Sequence, residues 1–172
     1  MSDAWPQLIR DNRIVTDTKD KVEGDEPDGA DPSMFAGAYI ASRGAVSDAT
    51  TRGIRVEVKS SYIPDRSSPS ESEFFFAYRV KISNVGTETA KLVAREWIIT
   101  DAEGDVERVK GPGVVGQQPV LPPGGEFEYT SACPLKTAVG SMYGCYQMVT
   151  DQGERFDAVI APFTLAAPNA LN

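Results

Sequence analysis

At 172 residues, with 41% hydrophobic and 24% charged content, the chain holds enough apolar material for one domain with a proper core, plus some excess. Its net charge of −8 opposes any general affinity for nucleic acid or anionic lipid, which needs clustered Lys and Arg. There is no histidine, which removes Ser-His-Asp and Cys-His mechanisms, and two cysteines are too few for a disulfide scaffold or a structural zinc site.

No run approaches the roughly 18 apolar residues of a membrane helix, and the N-terminal MSDAWPQLIRDNR lacks the apolar centre of a signal peptide. The expectation is a soluble cytoplasmic protein with reduced thiols. Residues 1–52 carry ten Asp and Glu against six Lys and Arg. Within them, Thr16 to Ser33 has only Val22 and Ala30 as apolar residues, too little to offset chain entropy by burial, so it reads as disordered. Small apolar clusters flank it, at Trp5, Leu8 and Ile9 and at Met34 to Ile40. A short helix, a docking peptide and a remnant of a neighbouring domain all fit these clusters, as does a loosely attached tail. Residues 1–50 are read as an acidic, mostly disordered extension, and 51–172 as the folded domain.

From Gly53 onward the texture changes to short alternating segments separated by turn residues. Ile54, Val56 and Val58 alternate with polar residues in GIRVEVKSSYI, and Phe74, Phe76, Tyr78, Val80 and Ile82 do so in EFFFAYRVKISN, ending at the turn Asn84-Val85-Gly86. AKLVAREWIIT is apolar on both faces, with Val93, Trp97 and Ile99 on one and Leu92, Ala94 and Ile98 on the other, which suits a central strand. Asp101 to Gly104 predicts a hairpin into Val106–Lys110. Further strands follow in GEFEYTSAC, from Met142 to Val149, and from Glu154 to Ile160, with Phe163 closing the pattern. Seven or eight strands without useful helical periodicity imply an all-β, two-sheet antiparallel sandwich of the immunoglobulin or fibronectin type III kind, with a closed barrel as the alternative.

Candidate chemistry is sparse. Gly111-Pro-Gly113-Val-Val-Gly116 matches G-x-G-x-x-G, but the prolines at 119, 122 and 123 forbid the helix that a dinucleotide fold requires next. A backbone anion nest remains, with Arg108 and Lys110 just before it and Arg95 on a neighbouring strand; the alternative is a glycine-rich loop needing positive φ. Asp101, Glu103 and Asp105 alternate like ligands for a divalent cation but lack the rest of an EF-hand loop, and read as a solvated hairpin tip. Cys133 and Cys145 flank a connection between two strands expected to be adjacent, so they could pair under oxidation, although reduced buried thiols fit a cytoplasmic protein better. Of the run Phe74-Phe75-Phe76, Phe75 must point away from the core, into a second apolar layer or a contact surface.

FFFAYRVKISN, REWIITDAEG, VKGPGVVGQQPVLPPG, FEYTSACPL, GSMYGCYQMV and GERFDAVIAPFTL follow one another in one order and close spacing, and together they resemble the ApaG domain from about Thr51 to Leu171. The resemblance implies a fibronectin type III-like sandwich. It also implies a genetic link to cobalt tolerance and magnesium efflux in bacterial members, and partner recognition in eukaryotic F-box proteins and a polymerase-interacting protein. Ser47-Asp48-Ala49-Thr50-Thr51 resembles plant and algal members, which suggests a plastid location. One departure is Glu96, where the family tends to have histidine.

These features give the expectation of a non-enzymatic module for protein–protein interaction, with Phe75 on the partner surface. The alternative is a sensor of a phosphate- or pyrophosphate-bearing ligand through Arg95, Arg108, Lys110, Gly111, Gly113 and Gly116, or of a divalent metal. No cofactor, resident metal, nucleic acid or membrane partner is expected.

Overall fold

The alternation Phe74, Phe76, Tyr78, Val80, Ile82 becomes one buried face of the longest strand in its sheet, and the rest of the domain is built around it. A computed structural model describes residues 39–171. Its strands are β1 (Tyr39–Arg43), β2 (Val46–Thr51), β3 (Ile54–Tyr62), β4 (Phe74–Asn84), β5 (Ala90–Asp101), β6 (Val106–Pro112), β7 (Val120–Leu121), β8 (Glu126–Leu135), β9 (Val139–Thr150) and β10 (Arg155–Ala166). Two single 3₁₀ turns, Pro64–Arg66 and Pro69–Glu71, sit between β3 and β4. One sheet has the order β1-β2-β3-β4-β8 and the other β10-β9-β5-β6, with β7 added to the end of β5; all pairings are antiparallel. The fold is the expected two-sheet sandwich.

Period-2 patterning aims the large side chains of both sheets at one core. Ile54, Val56 and Val58 of β3, Phe76, Val80 and Ile82 of β4, Tyr146 and Met148 of β9, and Ile160, Phe163 and Leu165 of β10 are all buried there. Trp97 packs edge-on to Tyr78, Tyr146 and Phe163, with ring centroids 5.2–6.3 Å apart, the geometry favoured by aromatic quadrupoles.

Two bulges adjust which residues reach that core. β5 slips against β9 between Leu92 and Ala94, and β10 slips between Ile160 and Phe163. A bulge puts two residues opposite one and flips the face of everything beyond it. Leu92 therefore shares the core with Trp97, and Val93 does not, which corrects the expected grouping of Val93 with Trp97 and Ile99. On β10 the same slip keeps both Ile160 and Phe163 inside.

Among the described residues strand pairing is already present at Tyr39, ahead of the boundary that composition places at residue 50. The residues of β2 that turn inward are Ser47 and Ala49, too small or too polar to signal a strand in the sequence. The apolar cluster at Trp5 to Ile9, most of the one at Met34 to Ile40, and the acidic stretch between them lie outside the described residues. Among the described residues no helix is long and apolar enough to cross a membrane.

Candidate binding cleft

The two lateral seams of the sandwich are built differently. On one side β10 lies against β1, β2 and β3. There the Thr164 amide donates to the Gly44 carbonyl at 2.7 Å, the Ser60 hydroxyl donates to the Thr164 carbonyl at 2.7 Å, and the Val159 amide donates to the Thr51 hydroxyl at 3.2 Å. Ala49, Val159 and Ala161 form a second, small buried cluster at this seam. On the other side, among the described residues, β6 pairs only with β5 and β8 only with β4, so each sheet ends there in a strand with one free edge. Between these two edges lies a cleft of about 810 Å³, within the range of ligand sites.

The cleft wall is made of core aromatics and one cation. Tyr78, Arg95, Trp97, Tyr129 and Cys133 all line it. Arg95 reaches it because it stands two residues before Trp97 on β5 and so shares its inward face. Its guanidinium packs over Gly111, where an added Cβ would meet Nη1 at 3.1 Å, and Nη1 donates to the carbonyls of Pro112 at 3.0 Å and Gly113 at 2.9 Å. No carboxylate among the described residues lies within ion-pair distance of Arg95. The indole N–H of Trp97 is buried without a hydrogen-bond partner, an uncommon state for a buried donor.

The hydroxyls beside Arg95 are held neutral. Burial pushes Tyr78 up to about 12, while its hydrogen bond to Ser131 acts the other way. Tyr129 and Tyr146 share a short hydrogen bond between their hydroxyls, and burial raises both well above the ordinary tyrosine value. Burial likewise pushes the Cys133 thiol up to about 12, with Glu107 adding to the effect, and Cys145 also to about 12, with Asp157 and Glu96 adding. Neither thiol has the lowered pKa of a nucleophile.

The six residues proposed from sequence for an anion site do not converge. Glu96, Lys110 and Arg108 belong to the outer face of the β5–β6 ladder, where Glu96 Oε1 lies 3.2 Å from Arg108 Nη1 and 3.4 Å from Lys110 Nζ. Arg95 and Gly111 are partners on the inner face. Gly113 and Gly116 do take positive φ, at 57° and 75°. Gly113 needs it for packing as well, since a Cβ there would stand 2.2 Å from the Gln117 carbonyl. Val115 also lies in the left-handed region, at φ 44°, between the paired backbone groups of Val114 and Gln117. A β-branched residue there is strained, and the strain is held by the full burial of Val114 and this turn.

Phe75 points outward as alternation requires, but it is half-buried at the rim of the cleft, with the Arg66 guanidinium 5.1 Å from its ring centroid. Its amide donates to the Ser67 hydroxyl at 2.9 Å, and its carbonyl accepts from Ile63 at 2.9 Å. Asp101, Glu103 and Asp105 do bring carboxylate oxygens within 4.8 Å of one another. Asp101 Oδ1 is the acceptor of the hairpin turn, bonding the amides of Glu103 and Asp105 at 2.9 and 3.0 Å. Cys133 and Cys145 are free and lie on β8 and β9, which belong to opposite sheets. Cys145 faces away from the core that its neighbour Tyr146 enters, so the expected adjacency of the two strands is corrected.

The cleft itself was not anticipated from the sequence. Its signal was the parity of Arg95 with Trp97 and Ile99, a charged residue in step with buried ones. Its aromatics Tyr78, Trp97 and Tyr129 belong to the core as well as to the wall.

The class of protein is thus an all-β, two-sheet antiparallel sandwich, here closed along one seam and open along the other. The ApaG domain model matches residues 64–150, and the chain belongs to the ApaG family. It is 56% identical to Protein ApaG of Anaeromyxobacter dehalogenans strain 2CP-1 over 127 residues, covering 74% of this chain and 100% of that one. With Protein ApaG of Rhodopseudomonas palustris strain TIE-1 it shares 52% identity over 120 residues, covering 70% and 92%. A crystal structure described as an ApaA protein from Bordetella pertussis superposes with a TM-score of 0.66 at 49% identity, covering 67% of this chain and 94% of that chain. These relatives are bacterial, and they lend no support to the plant or algal origin suggested by Ser47 to Thr51 or to the plastid location drawn from it.

Proposed function

We propose that this ApaG domain is a non-enzymatic binding module that takes an extended segment of a partner protein into the cleft between β6 and β8. The observation that carries the reading is the pair of unpaired strand edges flanking an aromatic-walled cleft of about 810 Å³. An extended peptide adds to such an edge through main-chain hydrogen bonds and places alternate side chains in the adjoining pocket. The absence of histidine and the raised thiols fit binding better than catalysis. The loop from Arg108 to Gly116 is the weaker candidate, because Glu96 already pairs with its two cations and Arg95 lies on the other face.

The test is selection from a library of random extended peptides, followed by amide hydrogen exchange on the full chain. Bound peptides should slow exchange in Val106–Pro112 and Glu126–Leu135. Replacing Phe75 at the rim with Asp should weaken binding while the thermal unfolding midpoint stays near that of the parent. Protection confined to the β1 edge or to the 108–116 loop alone would reject the cleft as the site.

A further inference from the structure

The cleft is electrically polarised along its length. Arg95 stands at one end, beside Pro112 and Gly113, with no carboxylate partner. At the other end of β5 and the start of β6, Asp101, Asp105 and Glu107 line the wall, and the acids there outnumber the nearby cations Arg66 and Lys136. None of these five residues forms an ion pair with another of the described residues. At about 3.3 Å per residue along a strand, the two ends are roughly 20 Å apart, the span of about six extended residues. Between them the wall is mainly apolar, with Trp97, Ile99 and Val109 along it.

Resting on the peptide-binding reading above, we infer that the cleft selects the free C-terminus of a partner chain, with the terminal carboxylate at Arg95 and a Lys or Arg about five residues upstream at Asp101, Asp105 and Glu107. An anion at Arg95 supplies the countercharge that the fold leaves out, and a carboxylate matches the planar fork of a guanidinium. The upstream base meets Asp105 and Glu107, which have no ion-pair partner among the described residues, beside Asp101.

The direction of the ligand follows from the same polarity. β8 runs from Tyr129, close enough to Arg95 to feel its charge, to Leu135, which touches Gly140 opposite Asp101. A C-terminal segment ending at Arg95 therefore runs antiparallel to β8, the more stable pairing. Its alternate side chains would face Tyr78, Trp97 and Tyr129.

The experiment uses the full chain and two pools of randomised hexapeptides, identical except that one ends in a free carboxylate and the other in an amide. Retained peptides are identified by mass spectrometry. The free-acid pool should be retained about tenfold better, with Lys or Arg enriched at the amino end. Arg95→Gln should erase the difference between the pools, and Arg95→Lys should keep part of it, which separates the charge from any loss of fold. The Asp105→Lys, Glu107→Lys double variant should abolish the preference for a basic amino end while the carboxylate preference persists. Equal retention of acid and amide by the parent chain would overturn the C-terminal inference and leave peptide binding intact. If neither pool were retained, the peptide-binding reading itself would fall, and this inference with it.

Discussion

The two seams of this sandwich face the same core, yet one is sealed and the other is not. Where β10 meets β1, β2 and β3, the inward residues are small (Ala49, Val159 and Ala161), so backbones approach closely enough for Ser60, Thr51 and Gly44 to bond across. Where β6 faces β8, the inward residues are Arg95, Trp97, Tyr129 and Cys133. Bulky aromatics and a charge hold the sheets apart and leave β6 and β8 each with one edge unpaired among the described residues. Small side chains close one seam of the sandwich, and large or charged ones keep the other open. An exposed edge is a liability for aggregation unless it is short, charged or used, and the proposed peptide binding would give these edges a use.

The comparison is tested most severely where both seams depend on the shared core. Phe163→Ala, on the sealed side's β10 but packed against Trp97 and Tyr78, should lower stability by about 3–5 kcal/mol in urea titrations. A loss well below that range would mean the two seams are not built on one core. Tyr129→Phe, on the open side, deprives the buried Tyr146 hydroxyl of its partner and should cost about 1–3 kcal/mol by the same measurement. Ser60→Ala removes a hydrogen bond at the sealed seam and should cost about 1 kcal/mol.

Alkaline pH should weaken the open side. Folding raises the Cys133 thiol from 9.0 to about 12 and the Tyr78 hydroxyl from 10.0 to about 12, so the folded chain holds these protons more tightly than the unfolded one. Their contribution is fully present below pH 9 and is lost as pH rises towards 12. Stability followed by denaturant titration should fall across that window, and Cys133→Ala should flatten part of the slope. The smallest effect is expected on the outer surface, where Arg79→Ala breaks an exposed pair with Glu128 and should leave the unfolding midpoint unchanged within error.

Much of this architecture is legible in the sequence because period-2 alternation reports directly on which face of a strand is buried. β4 runs Phe74–Asn84, the stretch that FFFAYRVKISN announces. What alternation cannot report is a bulge. The slip at Val93 reverses the faces of β5 on either side of it, so that Leu92 rather than Val93 shares the core with Trp97. β2 escaped notice for a different reason: Ser47 and Ala49 fill the tight seam against β10, where a large apolar residue would not fit. The cleft depends on which strands end as edges, a property of sheet order that no single segment encodes.

The most direct test of the open seam as a binding site is a crystal structure of the full chain with a peptide selected from the free-acid pool. The account predicts an extended peptide between β6 and β8, antiparallel to β8, its terminal carboxylate on the Arg95 guanidinium. A peptide seated on the β1 edge, on the Arg108–Gly116 loop, or in the cleft with its carboxylate towards Asp101 would contradict it.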